Sequence, residues 1–358
     1  MTQVRQTILH ERHAELGAEF IDVEGWQLTG PYTSSVEEHA AVRQAAGVFD
    51  VSHLGALAIK WSWASEYLQA RLTNDVDALE PWQCQYTLLP NEDGGIVDDL
   101  ILFRLPKGFL LTVNSANVGA DLEQLPEVED VSEDWGILAV QGPQAFERLE
   151  LEVERHRFRR ETVGGVECLV SGTGYTGEQG CELLCNLQDI GALWDAVLDL
   201  GVVPCGMDAR EMLRLEEGLL RHGHDMTVES DPYEAGLGRI VMTSKNFVGV
   251  GPLRRIKRAA AKRTLVSFVM EDEAVPVAGT PIGSDGVVTS SAFSPTLGRG
   301  IGLGYVWPGV SDPGTALTID DDGGARRAYV HAAPVYEGQR TRRKRRRAAP
   351  CRSRRGRA

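Results

Sequence analysis

The stretch Ser171–Glu182, SGTGYTGEQGCE, decides between two very different folds. Its glycines Gly172, Gly174 and Gly177 have the G-x-G-x-x-G spacing of a dinucleotide-binding turn. Such a turn needs a helix that begins on it, because free N–H groups at the helix N-terminus bind the phosphates. The residues that follow, CELLCN, form a β-like run instead. We therefore predict a hairpin whose glycines permit positive φ angles or close backbone approach.

Sequence patterns around this stretch predict both helices and strands. SSVEEHAAVRQAAG predicts a helix with Ser35 and Glu38 as a capping box. DAREMLRLEEGLL predicts an amphipathic helix capped by Asp208, with Glu211 completing the box. From about Thr264 onward, short β-like runs separated by Gly, Pro and Asp turns predict a separate β domain.

The charge of the chain is distributed unevenly. The 358 residues are 42% hydrophobic and 25% charged, with a net charge of −14, as in a globular protein. Residues 340–358 hold 11 Lys and Arg and no acid, which leaves 26 basic against 51 acidic residues, or −25, in the rest. The acidic body argues against nucleic acid as a partner. The basic block is either a disordered segment that binds an acidic partner or an accidental extension.

The sequence carries no sign of a membrane span, a leader peptide or a metal site. It has no apolar run of about 18 residues and no signal-peptide core, so we expect a cytoplasmic protein. Neither C-x-x-C nor H-E-x-x-H occurs, and we predict no metal. We interpret the cysteines as scattered small hydrophobic residues: Cys84, Cys168, Cys181, Cys185, Cys205 and Cys351.

Several motifs, in order along the chain, resemble those of one family. They are EEHAAVRQAAGVFDVSHLG, LTNDVDALEPWQCQYTLLPNEDGGIVDDLILFRL, LAVQGP, GYTGEQGCEL, GMDAREMLRLEEGL, YEAGLG and FSPTLGRGIGLGYV. Together they are similar to the glycine cleavage system T-protein, a tetrahydrofolate-dependent aminomethyltransferase. The resemblance extends from about Ile8 to Tyr336 and does not include the basic tail.

The resemblance implies an α+β fold of three domains, with mixed antiparallel sheets around a central folate-holding channel and a C-terminal β-barrel-like domain. The implied divisions are residues 1–263 for two interleaved α+β domains, 264–338 for the barrel-like domain and 339–358 for a disordered basic tail. The implied reaction transfers a methylene group from the aminomethylated lipoyl arm of the H-protein to tetrahydrofolate, with release of ammonia.

The motif GGIVDDL supplies two adjacent carboxylates. Neighbouring side chains of a strand point to opposite faces, so only one carboxylate can line a site. The resemblance gives the catalytic role to the second, Asp99, whose charge suits an iminium-like cation and whose carboxylate can accept a proton. Taken alone, the pair also fits a hairpin turn with solvated acids.

The remaining site residues that the resemblance implies would contact folate. A carboxylate can receive two parallel hydrogen bonds from the pterin edge, which suits Glu182. A guanidinium suits the glutamyl carboxylates, although Arg210 also fits an ion pair on its helix face with Glu217. The implied contacts are Tyr86, Asn114, Asn117, Tyr175, Glu182 and Arg210.

Two other functions that occur with the same fold remain possible from the sequence. One is a folate-dependent demethylase of a small methylated substrate, because the entry segment LTGPYT departs from the family pattern. The other is a non-enzymatic folate-binding protein that supports iron–sulfur maintenance. Such relatives carry a K-G-C-[YF]-x-G-Q-E element, which this sequence lacks.

Overall fold

The computed structural model describes residues 4–321 and 323–336. The strands are, in chain order, β1 (Arg5–Gln6), β2 (Phe20–Val23), β3 (Trp26–Thr29), β4 (Gly47–Asp50), β5 (Gly55–Ile59), β6 (Gln83–Pro90), β7 (Ile96–Arg104), β8 (Phe109–Val113), β9 (Glu129–Asp130), β10 (Trp135–Gln141), β11 (Phe158–Val163), β12 (Val166–Ser171), β13 (Gly180–Asn186), β14 (Val203–Pro204), β15 (Thr264–Met270), β16 (Pro281–Ile282), β17 (Gly286–Ser294), β18 (Arg299–Val306), β19 (Ala316–Asp321) and β20 (Gly324–His331). The predictions for the basic tail and for Cys351 lie outside the described residues.

The helices are short and lie between the strands. They are α1 (His10–Glu15), α2 (Ser35–Gln44), α3 (Ala64–Gln69), α4 (Val118–Gln124), α5 (Ala145–Arg148), α6 (Ile190–Asp199), α7 (Met207–Glu217) and α8 (Val250–Ile256). Within the described residues, no helix combines the length and the apolar character that a membrane span requires.

The strands form three open sheets and one closed barrel. A three-stranded sheet has the order β1-β3-β2, a six-stranded sheet β11-β12-β13-β10-β4-β14, and a five-stranded sheet β6-β7-β8-β5-β9. Strands β15 to β20 close an antiparallel barrel in the order β15-β18-β17-β16-β19-β20. The predicted α+β class with mixed antiparallel sheets and a C-terminal barrel is confirmed.

The two larger open sheets are interleaved along the chain. Strand β4 pairs with β10, although the chain between them forms the whole five-stranded sheet. This strand order suits the two interleaved domains expected in residues 1–263, and their division stays a prediction. Each large sheet has its own apolar core, with Trp194 and Leu138 in one and Leu102 and Leu111 in the other.

Both predicted helix caps were wrong in detail. Helix α2 is capped by Ser34, whose hydroxyl accepts the N–H of Glu37. Ser35 is already the first helical residue, and Glu38 turns inward to accept the N–H groups of Tyr32 and Gly206. Helix α7 begins after Gly206 without a side-chain cap. The two carboxylates are therefore used elsewhere: Glu38 fixes the chain before α2, and Glu211 forms an ion pair with Arg214.

The hairpin predicted for SGTGYTGEQGCE is confirmed. Strands β12 and β13 pair antiparallel, with Ser171 opposite Glu182, and residues 172–179 connect them. Gly177 has a φ of +81°, which only glycine adopts readily. A Cβ atom on Gly172 would lie 2.1 Å from the carbonyl oxygen of Glu154. Gly177 therefore permits the turn, and Gly172 permits the close packing of two backbone segments.

We predict that Gly172→Ala destabilises the protein by about 1–3 kcal/mol, because backbone atoms must move to admit the methyl group. Gly119→Ala is the matched control: Gly119 lies on a helix with negative φ and open space, so its replacement stabilises by about 0.5–1 kcal/mol. Denaturant unfolding of both variants measures the difference. Equal stability of the two variants would contradict the close approach at Gly172.

Candidate active site

A cavity of about 1430 Å³ lies where the sheets and the barrel meet. Each of the four sheets contributes to its lining, for example through Ile21, Asp99, Glu182 and Val266. The predicted site residues that line it are Tyr86, Asp99, Asn114, Tyr175, Glu182 and Arg210. The fold thus brings six of the seven predicted residues, from strands, loops and a helix, to one space.

The carboxylate of Asp99 is held by two neighbouring side chains. The hydroxyl of Tyr86, on the paired strand β6, donates to Asp99 Oδ2 at 3.0 Å. The side-chain amide of Asn114, which follows β8, donates to Asp99 Oδ1 at 2.9 Å and to Asp98 Oδ1 at 2.7 Å. Asp99 lines the cavity, whereas Asp98 is completely buried on the opposite face of the strand. Of the two adjacent carboxylates, only Asp99 lines the cavity, as expected for neighbouring residues of a strand.

Asp99 titrates near neutral pH. Burial raises the pKa of its carboxyl to about 7, and the charge of Asp98 adds to this shift. The hydrogen bonds from Tyr86 and Asn114 act in the opposite direction because they stabilise the ionised form. A carboxyl with this pKa can both take up and release a proton under physiological conditions.

The glycine hairpin brings a second carboxylate to the cavity. Glu182 accepts a hydrogen bond from the hydroxyl of Thr173, and burial raises the pKa of its carboxyl. The hydroxyl of Tyr175 donates to the backbone carbonyl of Leu220. The ring of Tyr175, rather than its hydroxyl, is therefore the part that is available to a ligand.

Arg210 lies in the cavity wall on helix α7. Its guanidinium carbon lies 4.6 Å from the centre of the Tyr175 ring, a cation–π distance. Within the described part of the chain Arg210 forms no ion pair, whereas Arg214 on the same helix is paired with Asp225 and Glu211. The positive charge of Arg210 is thus directed to the cavity and is available to an anionic group.

The structure places Asn117, unlike the other predicted site residues, outside the cavity lining. Its side-chain amide donates to Asp98 Oδ1 at 2.5 Å and lies 2.9 Å from His222 Nδ1. His222 Nε2 donates to the carbonyl oxygen of Ile96 at 2.9 Å, so its Nδ1 is the acceptor for Asn117. Asn117 is held behind the strand because it satisfies the buried Asp98.

Sequence reasoning missed two histidines at this site, His53 and His222. His53 lines the cavity, and burial followed by the charge of Arg210 lowers the pKa of its imidazole to about 4. His53 is therefore neutral at physiological pH. The motif DVSHLG contained it, but nothing in the local sequence shows that the loop between β4 and β5 lines the cavity.

Cysteine and metal chemistry play no visible part here. Among the described residues no group of His, Cys, Asp and Glu is arranged to hold a metal ion. The described cysteines are free, and none of them lines the cavity: Cys84, Cys168, Cys181, Cys185 and Cys205. Cys168, Cys181 and Cys185 pack in the core of the six-stranded sheet, and Cys84 and Cys205 pack in a cluster to which both large sheets contribute.

The chain matches two family models that together cover most of its length. Residues 9–245 match the GCVT N-terminal domain, and residues 263–337 match the glycine cleavage T-protein C-terminal barrel domain. The second match coincides with the strands of the closed barrel, which begin at Thr264. The resemblance inferred from the motifs is thereby confirmed.

Relatives and a solved structure agree with this assignment. The chain is 39% identical over 340 residues to the aminomethyltransferase of Halothermothrix orenii, covering 88% of this chain and 95% of that protein. It is 38% identical over 363 residues to the aminomethyltransferase of Saccharopolyspora erythraea, covering 94% and 99%. The crystal structure of glycine cleavage system aminomethyltransferase T from Bartonella henselae superposes with a TM-score of 0.88 at 29% identity, covering 94% and 99%. The chain therefore belongs to the glycine cleavage T-protein family, a family of aminomethyltransferase enzymes.

Proposed function

We propose that this enzyme transfers the methylene group of the aminomethylated lipoyl arm of an H-protein to tetrahydrofolate, with release of ammonia, and that Asp99 is the catalytic carboxylate. The observation that carries the proposal is the position of Asp99: its carboxyl faces the central cavity and titrates near pH 7. Family membership supplies the reaction class, and the geometry supplies a residue able to manage its charge and its proton.

Asp99 serves the reaction in two ways. In its ionised form it stabilises the positive charge that develops at the transferred carbon as ammonia leaves. It also accepts a proton at low cost, because its pKa of about 7 is close to the pH of the solution. Tyr86 and Asn114 hold each of its oxygens in a fixed direction, so the carboxylate does not have to reorganise when charge develops.

In this proposal, tetrahydrofolate binds along the part of the cavity that Glu182, Tyr175 and Arg210 line. Glu182 offers carboxylate oxygens to the amide and amino groups on the pterin edge, and the Tyr175 ring offers a face for stacking. Arg210 is available to a glutamyl carboxylate. Ligand pockets typically measure about 300–1,000 Å³. At about 1430 Å³, this cavity exceeds that range and leaves room for a lipoyl arm beside the folate.

Asp99→Asn removes the charge and the proton acceptor at the reacting centre while keeping the side-chain shape. We expect the rate of methylene-tetrahydrofolate formation from loaded H-protein to fall by about 10²- to 10⁴-fold. The matched control is Asp93→Asn, which alters an exposed carboxylate in the turn between β6 and β7. Full activity of Asp99→Asn would remove Asp99 from the catalytic role.

The donor is tested in the same assay with the unaltered protein. Turnover with loaded H-protein and tetrahydrofolate, and none with small methylated amines, supports aminomethyl transfer. Turnover with a methylated amine alone would instead identify a folate-dependent demethylase. Folate binding without either reaction would favour the non-enzymatic alternative.

The pH dependence of turnover reports on Asp99. Because a raised pKa keeps this carboxyl protonated below about pH 7, activity is present above that pH and is lost as the pH falls through it. Tyr86→Phe removes a hydrogen bond that stabilises the ionised form of Asp99, so the acid limb of the pH–rate profile moves to higher pH. Tyr67→Phe, which lies outside the cavity, leaves the limb in place. A limb that does not respond to Tyr86→Phe belongs to another group.

Glu182→Gln tests the folate wall. Charged hydrogen bonds contribute about 1.5–3 kcal/mol, so we expect the affinity for tetrahydrofolate to fall by about 10- to 100-fold in calorimetry. Glu167→Gln, an exposed carboxylate on the adjacent strand β12, is the control. Unchanged affinity in Glu182→Gln would place the pterin elsewhere in the cavity.

A further inference from the structure

A third carboxyl group lies behind Asp99, outside the cavity lining. Asp121 is on helix α4, and its side chain, like that of Asp98, is completely buried. It occupies an apolar position of the helix, three residues after Val118 and four before Leu125, both of which pack in the core of the five-stranded sheet. A buried acid at such a position needs a specific partner.

The partner of Asp121 is Asp98. Within the described residues no N–H or O–H group donates to either carboxyl oxygen of Asp121. Helix α4 packs against β7, and Asp121 lies one turn after Asn117, whose side-chain amide donates to Asp98, so the carboxyl of Asp121 is close to that of Asp98. Two carboxyl groups can form a hydrogen bond only if one of them carries a proton. The contact therefore requires one shared proton.

The hydrogen bonds around the pair determine where this proton lies. Asp98 Oδ1 accepts from the amides of Asn117 and Asn114, at 2.5 and 2.7 Å, and Oδ2 accepts from the backbone N–H of Asn114 at 3.1 Å. These donors stabilise an ionised Asp98. Asp121 has no donor, so the proton is more stable on Asp121, whose O–H then donates to Asp98.

We propose that Asp121 is a positioning residue for the transfer reaction: it stays protonated, donates to Asp98, and so keeps a single fixed negative charge directly behind Asp99. This inference rests on the proposed role of Asp99. Burial raises the pKa of Asp99, and the charge of Asp98 raises it further toward neutral pH. The proton on Asp121 keeps the cluster from carrying three buried charges.

The charged and titratable groups around the cluster are consistent with this arrangement. Burial, followed by the charge of Asp98, raises the pKa of Asp121 to about 9, two units above that of Asp99. Burial raises the pKa of Asp98, and the hydrogen bonds from the side-chain amides of Asn114 and Asn117 oppose this shift. Beyond Asn117 lies His222, whose Nδ1 faces the Asn117 amide. On the cavity side, Asp99 faces Tyr86 and is within electrostatic reach of Tyr175.

The protonation state is measured first, without turnover. At a pH between the pKa values of Asp99 and Asp121, infrared spectroscopy of the wild-type protein shows the carbonyl stretch of a protonated carboxylic acid. The difference spectrum between the wild type and Asp121→Asn isolates the band of Asp121 from those of other buried acids such as Glu182, and Glu123→Gln, an exposed acid on the same helix, gives no such difference. A wild-type-minus-Asp121→Asn spectrum without a protonated-carboxyl band overturns the proposal.

The effect on Asp99 is measured next, from the acid limb of the pH–rate profile. Asparagine is neutral and retains an N–H donor to Asp98, so in Asp121→Asn the limb stays in place. In Asp121→Leu the donor is lost, Asp98 takes up the proton itself, and the limb moves to lower pH by on the order of one unit. A downward shift already in Asp121→Asn would show that Asp121 is ionised, which contradicts the proposal.

The two parts of the experiment separate this inference from the proposed function. If the wild-type protein does not turn over loaded H-protein, the proposed function fails, whereas the infrared band still tests the proton on Asp121. If Asp121→Leu does not fold, Asp121→Asn and the spectroscopic comparison still decide. Turnover with a limb near pH 7 but no protonated carboxyl band would retain the function and remove Asp121 from its role.

Discussion

The buried carboxylate of Glu216 is the interaction that holds the walls of the cavity together. It accepts hydrogen bonds from Arg43 at 2.6 Å and His39 at 3.0 Å, both on α2, and from Ser294 of the barrel at 2.6 Å. Burial alone would raise its pKa, but these partners hold it at about 2. Arg43 also pairs with Glu178 of the glycine hairpin. Glu216 and its partner Arg43 thus connect α7, α2, the barrel and the hairpin. Removal of either charged residue would leave the buried charge of the other uncompensated.

The position of α7 explains why this framework also determines the chemistry. Glu216 anchors one face of the helix, while Arg214 pairs with Asp225, whose other carboxylate oxygen accepts from Thr289 of the barrel. On the same helix, Arg210 lies over the ring of Tyr175 and lines the cavity. Helix α7 thus carries both structural ion pairs and, within the described part of the chain, a cation that forms no ion pair.

The sequence predicted the features that depend on local pattern or on motif. The hairpin was predicted because the residues after Gly177 do not have a helical pattern. Asp99 and Glu182 were identified because they belong to motifs that resemble those of the family. The caps failed because Ser34 and Ser35 are equivalent by pattern and only the backbone distinguishes them. The group behind Asp99 could not be predicted, because tertiary folding brings together residues that are far apart in the chain. Asp121 alone left a signal, an acid on an apolar helix face.

The carboxyl groups of Asp98, Asp99 and Asp121 form a cluster in which, among the described residues, no ion pair to Lys or Arg is formed. A cation beside Asp99 would lower its pKa and would also repel the positive charge that forms during transfer. A second buried carboxylate, Asp98, raises the pKa of Asp99 and adds attraction for the same positive charge. Two buried anions are costly, so amide donors satisfy Asp98, and the proton that we propose on Asp121 prevents a third. In the proposed reaction, the cluster thus suits a positive charge that appears on the cavity side of Asp99.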